Sequence, residues 1–385
     1  MNRETSPLRR YELDWLRVIV FGLLILYHVG MFFVPWNFHL KNEITYPGLI
    51  WPMLFINQWR LPILFLISGM GTYFALTKRN GNQFAVERLK RLFIPLVIGM
   101  ALIIPPQVYL ERISNGEFYG GYFRFWPSQA FVGIYPAGNL SWHHLWFLPY
   151  LLLYSLILIP VFLYVKNNPD NLLQKKMVRL AARPVRLFWL IVPLYFWESM
   201  LEPFFPSTHT LVGDWFNLFN YLTLFLYGFL LLSAKEVFWE TVKKNRRLYL
   251  FSGIAGFTVL SGLWFTFEDS VLVHFIEAFI KVFNLWAWIL ALLGYGATYL
   301  NRPGKILSYA NEAVYPFYII HQTIILIIGY YLIELELGFF AKFMTMVAGT
   351  FVISLIVYEF GIRRWRLARP LFGMKKTSPR NTEII

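Results

Sequence analysis

The stretch 13–33, LDWLRVIVFGLLILYHVGMFF, decides how the rest of the chain is read. A helix that crosses a bilayer needs about 20 predominantly apolar residues, and this stretch supplies them, yet it also carries Arg17 and His28. Ionisable side chains inside a membrane segment are costly to place there and mark function by default. Eleven steps of about 100° return His28 to within roughly 20° of the Arg17 face, about 16 Å further along the axis. A fixed cation near one side of the bilayer and a titratable base in the other half then share one stripe. That geometry suits a reaction whose two substrates arrive from opposite sides.

Outward from this stretch the chain keeps the same character. Its 385 residues are 57% hydrophobic and only 15% charged, where soluble globular domains carry about 25% charged residues. Apolar runs fall at 14–34, 49–77, 92–110, 144–165, 187–205, 215–233, 248–267, 271–300, 313–333 and 339–361. They predict an all-α integral membrane protein with about ten transmembrane helices, counted by length. The loops alternate in charge. One set is strongly basic: TKRNGNQFAVERLKR (77–91), KNNPDNLLQKKMVRLAARPVR (166–186), KEVFWETVKKNRR (235–247), NRPGK (301–305) and the tail from Arg363. The other set, at 35–48, 266–270 and 333–338, is not. By the positive-inside bias both termini and the basic loops face the cytoplasm. The net charge of +14 then reflects cytoplasmic flanks facing anionic lipid, and it calls for no nucleic-acid partner.

Cysteine is absent, which excludes disulfides, thiolate nucleophiles and Cys-ligated metals. No small-residue cleavage site follows the first run, so an uncleaved helix is expected rather than a signal peptide. No long polar stretch interrupts the hydrophobic runs. One membrane domain over 1–385 is therefore expected, with an aromatic, Gly-rich outer loop at 111–143 and a basic cytoplasmic tail at 362–385. The loop reads as a structured, membrane-lying cap, since it holds many aromatics and few charges. No internal repeat of the kind many transporters carry is visible.

Polar residues that interrupt the runs carry the chemistry. His28 is either an imidazole hydrogen-bonded to a neighbouring helix or a general base, since its unperturbed pKa lies near neutrality. Arg17 is a snorkelling anchor or a functional cation, and Asp14 on the same side can pair with it. Arg60, in NQWRLPILFLISG, is too deep to face lipid. Arg88 and Arg91 in ERLKRLFIP lie one turn apart, as ordinary inner-surface charge or as a phosphate clamp built from guanidinium forks. His144 and Trp146 open the run at 144–165. His274, Glu277 and Lys281 share one helical face, as a mutually neutralising structural stripe or as a polar lining for a hydrophilic substrate. Tyr315, Tyr318 and His321 follow on about one face, with Pro316 allowing a kink. No metal motif is present, and no metal site is expected.

Taken together, these segments resemble the membrane acyltransferase 3 family over nearly the whole chain. The resemblance rests on R-x10-H (Arg17, His28), FLISG (Phe65 to Gly69), R-x-x-R-x-x-x-P (Arg88, Arg91, Pro95), HLWFL (His144 to Leu148) and YPFYIIH (Tyr315 to His321), in that order. Within the family it looks most like the branch associated with succinylation of periplasmic glucans. The resemblance implies an O-acyltransferase in the bacterial cytoplasmic (inner) membrane. Acyl-CoA, as acetyl-CoA or succinyl-CoA, would be the donor from the cytoplasm, and a carbohydrate hydroxyl outside would be the acceptor. It implies that Arg17 and His28 are essential, that His28 takes the hydroxyl proton, and that Arg88, Arg91 and Arg17 serve the donor. Arg60, His144, Trp146, Tyr315, Tyr318, His321, His274, Glu277 and Lys281 would then line the substrate site. Some relatives append an extracellular esterase-like domain, so here the membrane domain is expected to complete the transfer alone. A transporter or flippase using the same buried charges as a substrate or proton path is the alternative reading of the residues.

Overall fold

The computed structural model describes residues 9–234 and 236–376; the basic start at 1–8, Lys235 and the end of the tail at 377–385 lie outside the described residues. The described chain is helical, and its only β feature among those residues is one isolated bridge between Ile134 and Leu140. Among the described residues eight helices are long and apolar enough to cross a membrane: α1 Tyr11–Met31, α2 Pro47–Thr77, α3 Gly81–Ser114, α4 Trp215–Ser233, α5 Arg246–Thr266, α6 Val271–Tyr299, α7 Lys305–Ile333 and α8 Phe339–Arg363. A ninth span forms if His143–Ile157 and Ile159–Asn167, bent by 49°, are taken as one. In α5 and α8 only 22% of the most apolar window is buried, so most of those apolar side chains face outward, as lipid-facing helices require.

The expected count of about ten is therefore one or two too high. The run at 187–205 forms a 3-10 turn, Val185–Leu190, and then a helix of only 10 residues, Ile191–Met200. At 1.5 Å per residue that helix covers about 15 Å, half of a hydrocarbon core about 30 Å thick. Pro203 and Pro206, with no amide N–H to donate, end it. Its Glu198 is buried and pairs with Lys281 of α6.

The described residues divide into two compact units. One comprises the chain up to Val20, Leu54–Ala85 and Leu153–Ser308; the other comprises Phe21–Met53, Val86–Leu152 and the chain from Tyr309 onward. In the first unit α2 and α4 cross at two glycines. A Cβ on Gly69 would stand 1.9 Å from the Phe225 carbonyl oxygen, and one on Gly228 would stand 1.9 Å from that of Leu66. Lipid tails are as apolar as Leu, so helices in a bilayer associate through such close backbone packing. FLISG therefore has a packing role, and stacked Phe65 and Tyr221, with centroids 4.3 Å apart, continue the same contact.

In the second unit, Val29, Phe32 and Phe33 at the end of α1 pack with Ile325, Leu326 and Met346 of α7 and α8. Here α3 is irregular: π-helical turns occupy Leu89–Phe93 and Gly99–Ile103. Pro105 and Pro106 lack an N–H, so they leave carbonyls one turn back without a helical partner. Trp126, in the short loop helix Tyr122–Ser128, donates its indole N–H to the Ala101 carbonyl at 2.9 Å. The Thr323 hydroxyl of α7 donates to the Ile103 carbonyl at 2.7 Å. Pro105 thus leaves free the Ala101 carbonyl that fastens the loop to α3, and the Thr323 bond adds α7. The 111–143 segment holds the short helix Tyr122–Ser128.

Candidate active site

Three histidines meet in the second unit. His28 lies in the last turn of α1, His321 in α7, and His144 in the 3-10 turn His143–Trp146. His321 is fully buried. Its Nδ1 lies 2.8 Å from the Tyr318 carbonyl and 3.2 Å from that of Phe317. A carbonyl only accepts, so Nδ1 carries the proton and Nε2 of the neutral ring carries a lone pair. That Nε2 lies 2.8 Å from His28 Nδ1, and the rings stack with centroids 5.0 Å apart and 16° between planes. His28 Nδ1 must therefore be the donor, which leaves the lone pair of His28 on Nε2. A second imidazole thus fixes the tautomer that a base needs, as outer partners do for ligating histidines.

His144 is held on the other side of His321. Its Nε2 donates to the Ile319 carbonyl at 3.0 Å, its carbonyl accepts from the Tyr318 hydroxyl at 2.5 Å, and its ring stands edge-on to that of His321 at 5.1 Å. Gln107 of α3 donates to the Thr323 hydroxyl at 2.7 Å and accepts from Gln322 at 3.2 Å. Every member of this network is buried, where fully satisfied polar groups hold one arrangement rigidly.

Arg91 sits in the first π-helical turn. Its Nε donates to the Gly373 carbonyl at 3.2 Å, its Nη1 is 3.6 Å from Glu87, and its side chain is 45% exposed. The Tyr315 hydroxyl donates to the Arg91 carbonyl at 2.8 Å. Gly373 has φ +68, and a Cβ there would stand 2.0 Å from Tyr315 Cε1, so the tail returns to Arg91 and Tyr315 at a position only glycine fills. Trp146 packs edge-on against Tyr150.

Arg88 also lies in the second unit, immediately before the first π-helical turn; the other sequence-selected residues lie in the first unit. Arg17 pairs with Asp14 at 3.3 Å, as its position on α1 suggested. Arg60 is buried and donates to Asn57 at 3.2 Å. The stripe on α6 finds partners on neighbouring elements. Lys281 pairs with Glu198, His274 Nε2 donates to the Ser199 carbonyl at 3.0 Å, and Glu277 accepts from the Trp264 indole at 2.7 Å. These bonds tie α6 to α5 and to the Ile191–Met200 helix.

The sequence reading missed Gln107, Gln322 and Thr323, whose only signal was polarity inside apolar runs. It also missed His39 altogether. His39 Nδ1 lies 2.5 Å from a Glu111 carboxylate oxygen, and its Nε2 lies 3.0 Å from His143 Nδ1. Tyr135 donates to Glu111 at 3.1 Å. Burial, with the Glu111 carboxylate adding to it, pushes the Tyr135 hydroxyl up to about 12, so it stays a neutral donor. Among the described residues no group of three or more His, Asp or Glu is arranged to hold a metal ion.

Comparison with known proteins places this site in context. The sequence profile of a family described as acyltransferase domain matches residues 10–359. Glucans biosynthesis protein C of Shigella dysenteriae serotype 1 (strain Sd197) is 22% identical over 366 residues, 92% of each chain. The proteins of the same name from Escherichia coli strains SMS-3-5 / SECEC and K12 show the same identity and coverage. No solved structure matches the chain.

Proposed function

The chain belongs to the acyltransferase 3 family and is a multi-pass membrane acyltransferase; on that premise we propose that it moves an acetyl or succinyl group from acyl-CoA to a glycan hydroxyl, with His28 as general base. The observation that carries this reading is the bond from His28 Nδ1 to His321 Nε2 at 2.8 Å, which keeps a lone pair on His28 Nε2. A positioned general base contributes about 10²–10⁴ in rate. His28 Nε2 takes the proton of the acceptor hydroxyl as its oxygen attacks the thioester carbon. The C–S bond breaks, and the proton passes from His28 to the departing thiolate. The products are an ester and a thiol, and His28 returns to its starting state. Throughout, His28 Nδ1–H still donates to His321, so the imidazolium formed at the midpoint keeps its orientation.

Arg88 and Arg91 would hold the phosphates of the donor. The fit is supported by Arg91, which the Tyr315 hydroxyl and the Gly373 carbonyl hold in place while leaving it 45% exposed, since a guanidinium fork suits phosphate oxygens. Arg17, further back along α1, would lie beside the donor arm. His144, Trp146, Tyr315 and Tyr318 of the second unit are proposed to contact the substrates. The glycan acceptor is inferred from the name of the relatives and from the aromatic 111–143 loop, and the bacterial inner membrane from the relatives' hosts. Isotope tracing in oriented vesicles tests the proposal. Label on the acyl group of an inner-side acyl-CoA appears on an outer-side glucan; label that stays with CoA, or on water-soluble acid alone, overturns it.

A further inference from the structure

The 3-10 turn His143–Trp146 aims two neighbouring imidazoles at different partners: His144 meets His321, and His143 meets His39. The second arrangement takes no part in the reaction derived above. The Glu111 carboxylate, when ionised, only accepts, so His39 Nδ1 must donate to it. A neutral His39 then has its lone pair on Nε2 and accepts from His143 Nδ1 at 3.0 Å. The chain of bonds ends at His143 Nε2, which is buried and has no hydrogen-bond partner among the described residues. A buried acceptor without a donor is expensive, and native structures hold few such groups, so this one calls for a partner.

The surroundings indicate what that donor is. His143 takes a left-handed backbone, φ +38, a strained state for a non-glycine residue that surrounding structure must hold in place. The His143 backbone N–H donates to the Ser141 hydroxyl at 3.0 Å, and upstream Arg112 fastens the same loop through Asn139 at 2.9 Å, the Pro136 and Gly138 carbonyls at 2.7 and 2.9 Å, and Glu117. The Tyr135 ring lies 4.7 Å from that of His143 and 6.0 Å from that of His39. An aromatic face beside a lone hydrogen-bond acceptor suits a sugar ring, which presents an apolar face and hydroxyl donors at its edge. We propose that Glu111, His39 and His143 form an acceptor subsite, in which His143 Nε2 binds a hydroxyl of the glycan other than the one acylated. This rests on the reading of the acceptor as a glycan.

The test uses the full-length protein in lipid nanodiscs, with a soluble gluco-oligosaccharide as acceptor and whichever of acetyl-CoA or succinyl-CoA the wild type accepts. His143→Ala raises the KM for the oligosaccharide about 5–100-fold, the loss of one hydrogen bond to a buried group, and leaves the KM for the donor unchanged. Glu111→Gln keeps an oxygen for His39 but removes the charge, and gives a smaller rise in the same constant. Titration of tryptophan fluorescence with the oligosaccharide alone shows the same order of weakening without any turnover. A wild-type oligosaccharide KM in His143→Ala, or equal rises in both KM values, overturns the subsite and leaves the glycan acyltransferase reading intact. If the wild type neither binds nor acylates the oligosaccharide, the glycan reading fails and the subsite fails with it.

Discussion

His321 determines what His28 can do in the proposed reaction. Its Nδ1 is committed to the Tyr318 carbonyl at 2.8 Å, so its Nε2 can only accept, and His28 can only present a lone pair at Nε2. His28→Ala is expected to lower acyl transfer about 10²–10⁴-fold while the protein still inserts. His321→Ala removes the partner rather than the base, and is expected to lower kcat about 10–100-fold, as loss of an outer partner does elsewhere, with both KM values near wild type. Steady-state kinetics in nanodiscs check both. A His321→Ala enzyme with wild-type kcat would show that the stacked pair orients nothing. At this scale His28 was legible from R-x10-H and His321 from its place in an apolar run. Their pairing was not, because the residues are separated by 293 positions and no local pattern joins them.

Helix packing sets the next level. Gly69 of α2 and Gly228 of α4 stand against each other's backbone, so Gly69→Ala must push two helices apart, and a loss of about 1–3 kcal/mol is expected from such overpacking. Gly22 of α1 has nothing within 4 Å of a built Cβ, and Gly22→Ala is expected to be neutral or to gain up to about 1 kcal/mol of helix propensity. Thermal unfolding in detergent compares the two; equal shifts would count against the crossing. The loop before α4 makes a separate prediction. The Asp214 carboxylate, fully buried, accepts from the backbone N–H of Thr208 and His209 and from Asn217. Burial lowers the His209 imidazole from 6.5 to about 4, with Asp214 opposing the shift and Arg60 adding to it. The unfolded chain therefore takes up a proton that the folded chain refuses as pH falls through the window from 6.5 to about 4. Stability is lost across that window and does not change with His209 above it. Apparent melting temperatures measured from pH 7 downward should fall more steeply for wild type than for His209→Gln, and parallel slopes would refute the assignment.

For the whole molecule, the charge pattern of the loops makes the prediction. The basic loops alternate with the non-basic ones along the chain, and we propose from the positive-inside bias that both termini face the cytoplasm. A phosphatase reporter, active only when exported, is expected to be silent when fused at either end and active when inserted between Gly116 and Gly121. Activity at either terminus would reverse the sidedness proposed for donor and acceptor. The number of spans is a lesson in the limits of hydropathy: 187–205 passes on composition, yet Pro203, Pro206 and the buried Glu198–Lys281 pair give it only the 10-residue helix Ile191–Met200.

The sequence by itself determined the class of the protein, the approximate number of its helices and its family, and it showed His28 and His321 as polar interruptions of apolar runs. Those properties follow from the length and polarity of contiguous runs, which the cost of exposing backbone and charge to lipid makes decisive. Only the tertiary structure decided which polar residues meet. It gave His28 its tautomer through His321. It turned the stripe His274, Glu277, Lys281 outward to Ser199, Trp264 and Glu198. It also joined His39, Glu111 and His143, which lie in separate segments of the chain, into one relay. Hydrogen-bond partners are selected by the folding of distant helices onto one another, and helical periodicity carries no record of which neighbour a face will meet.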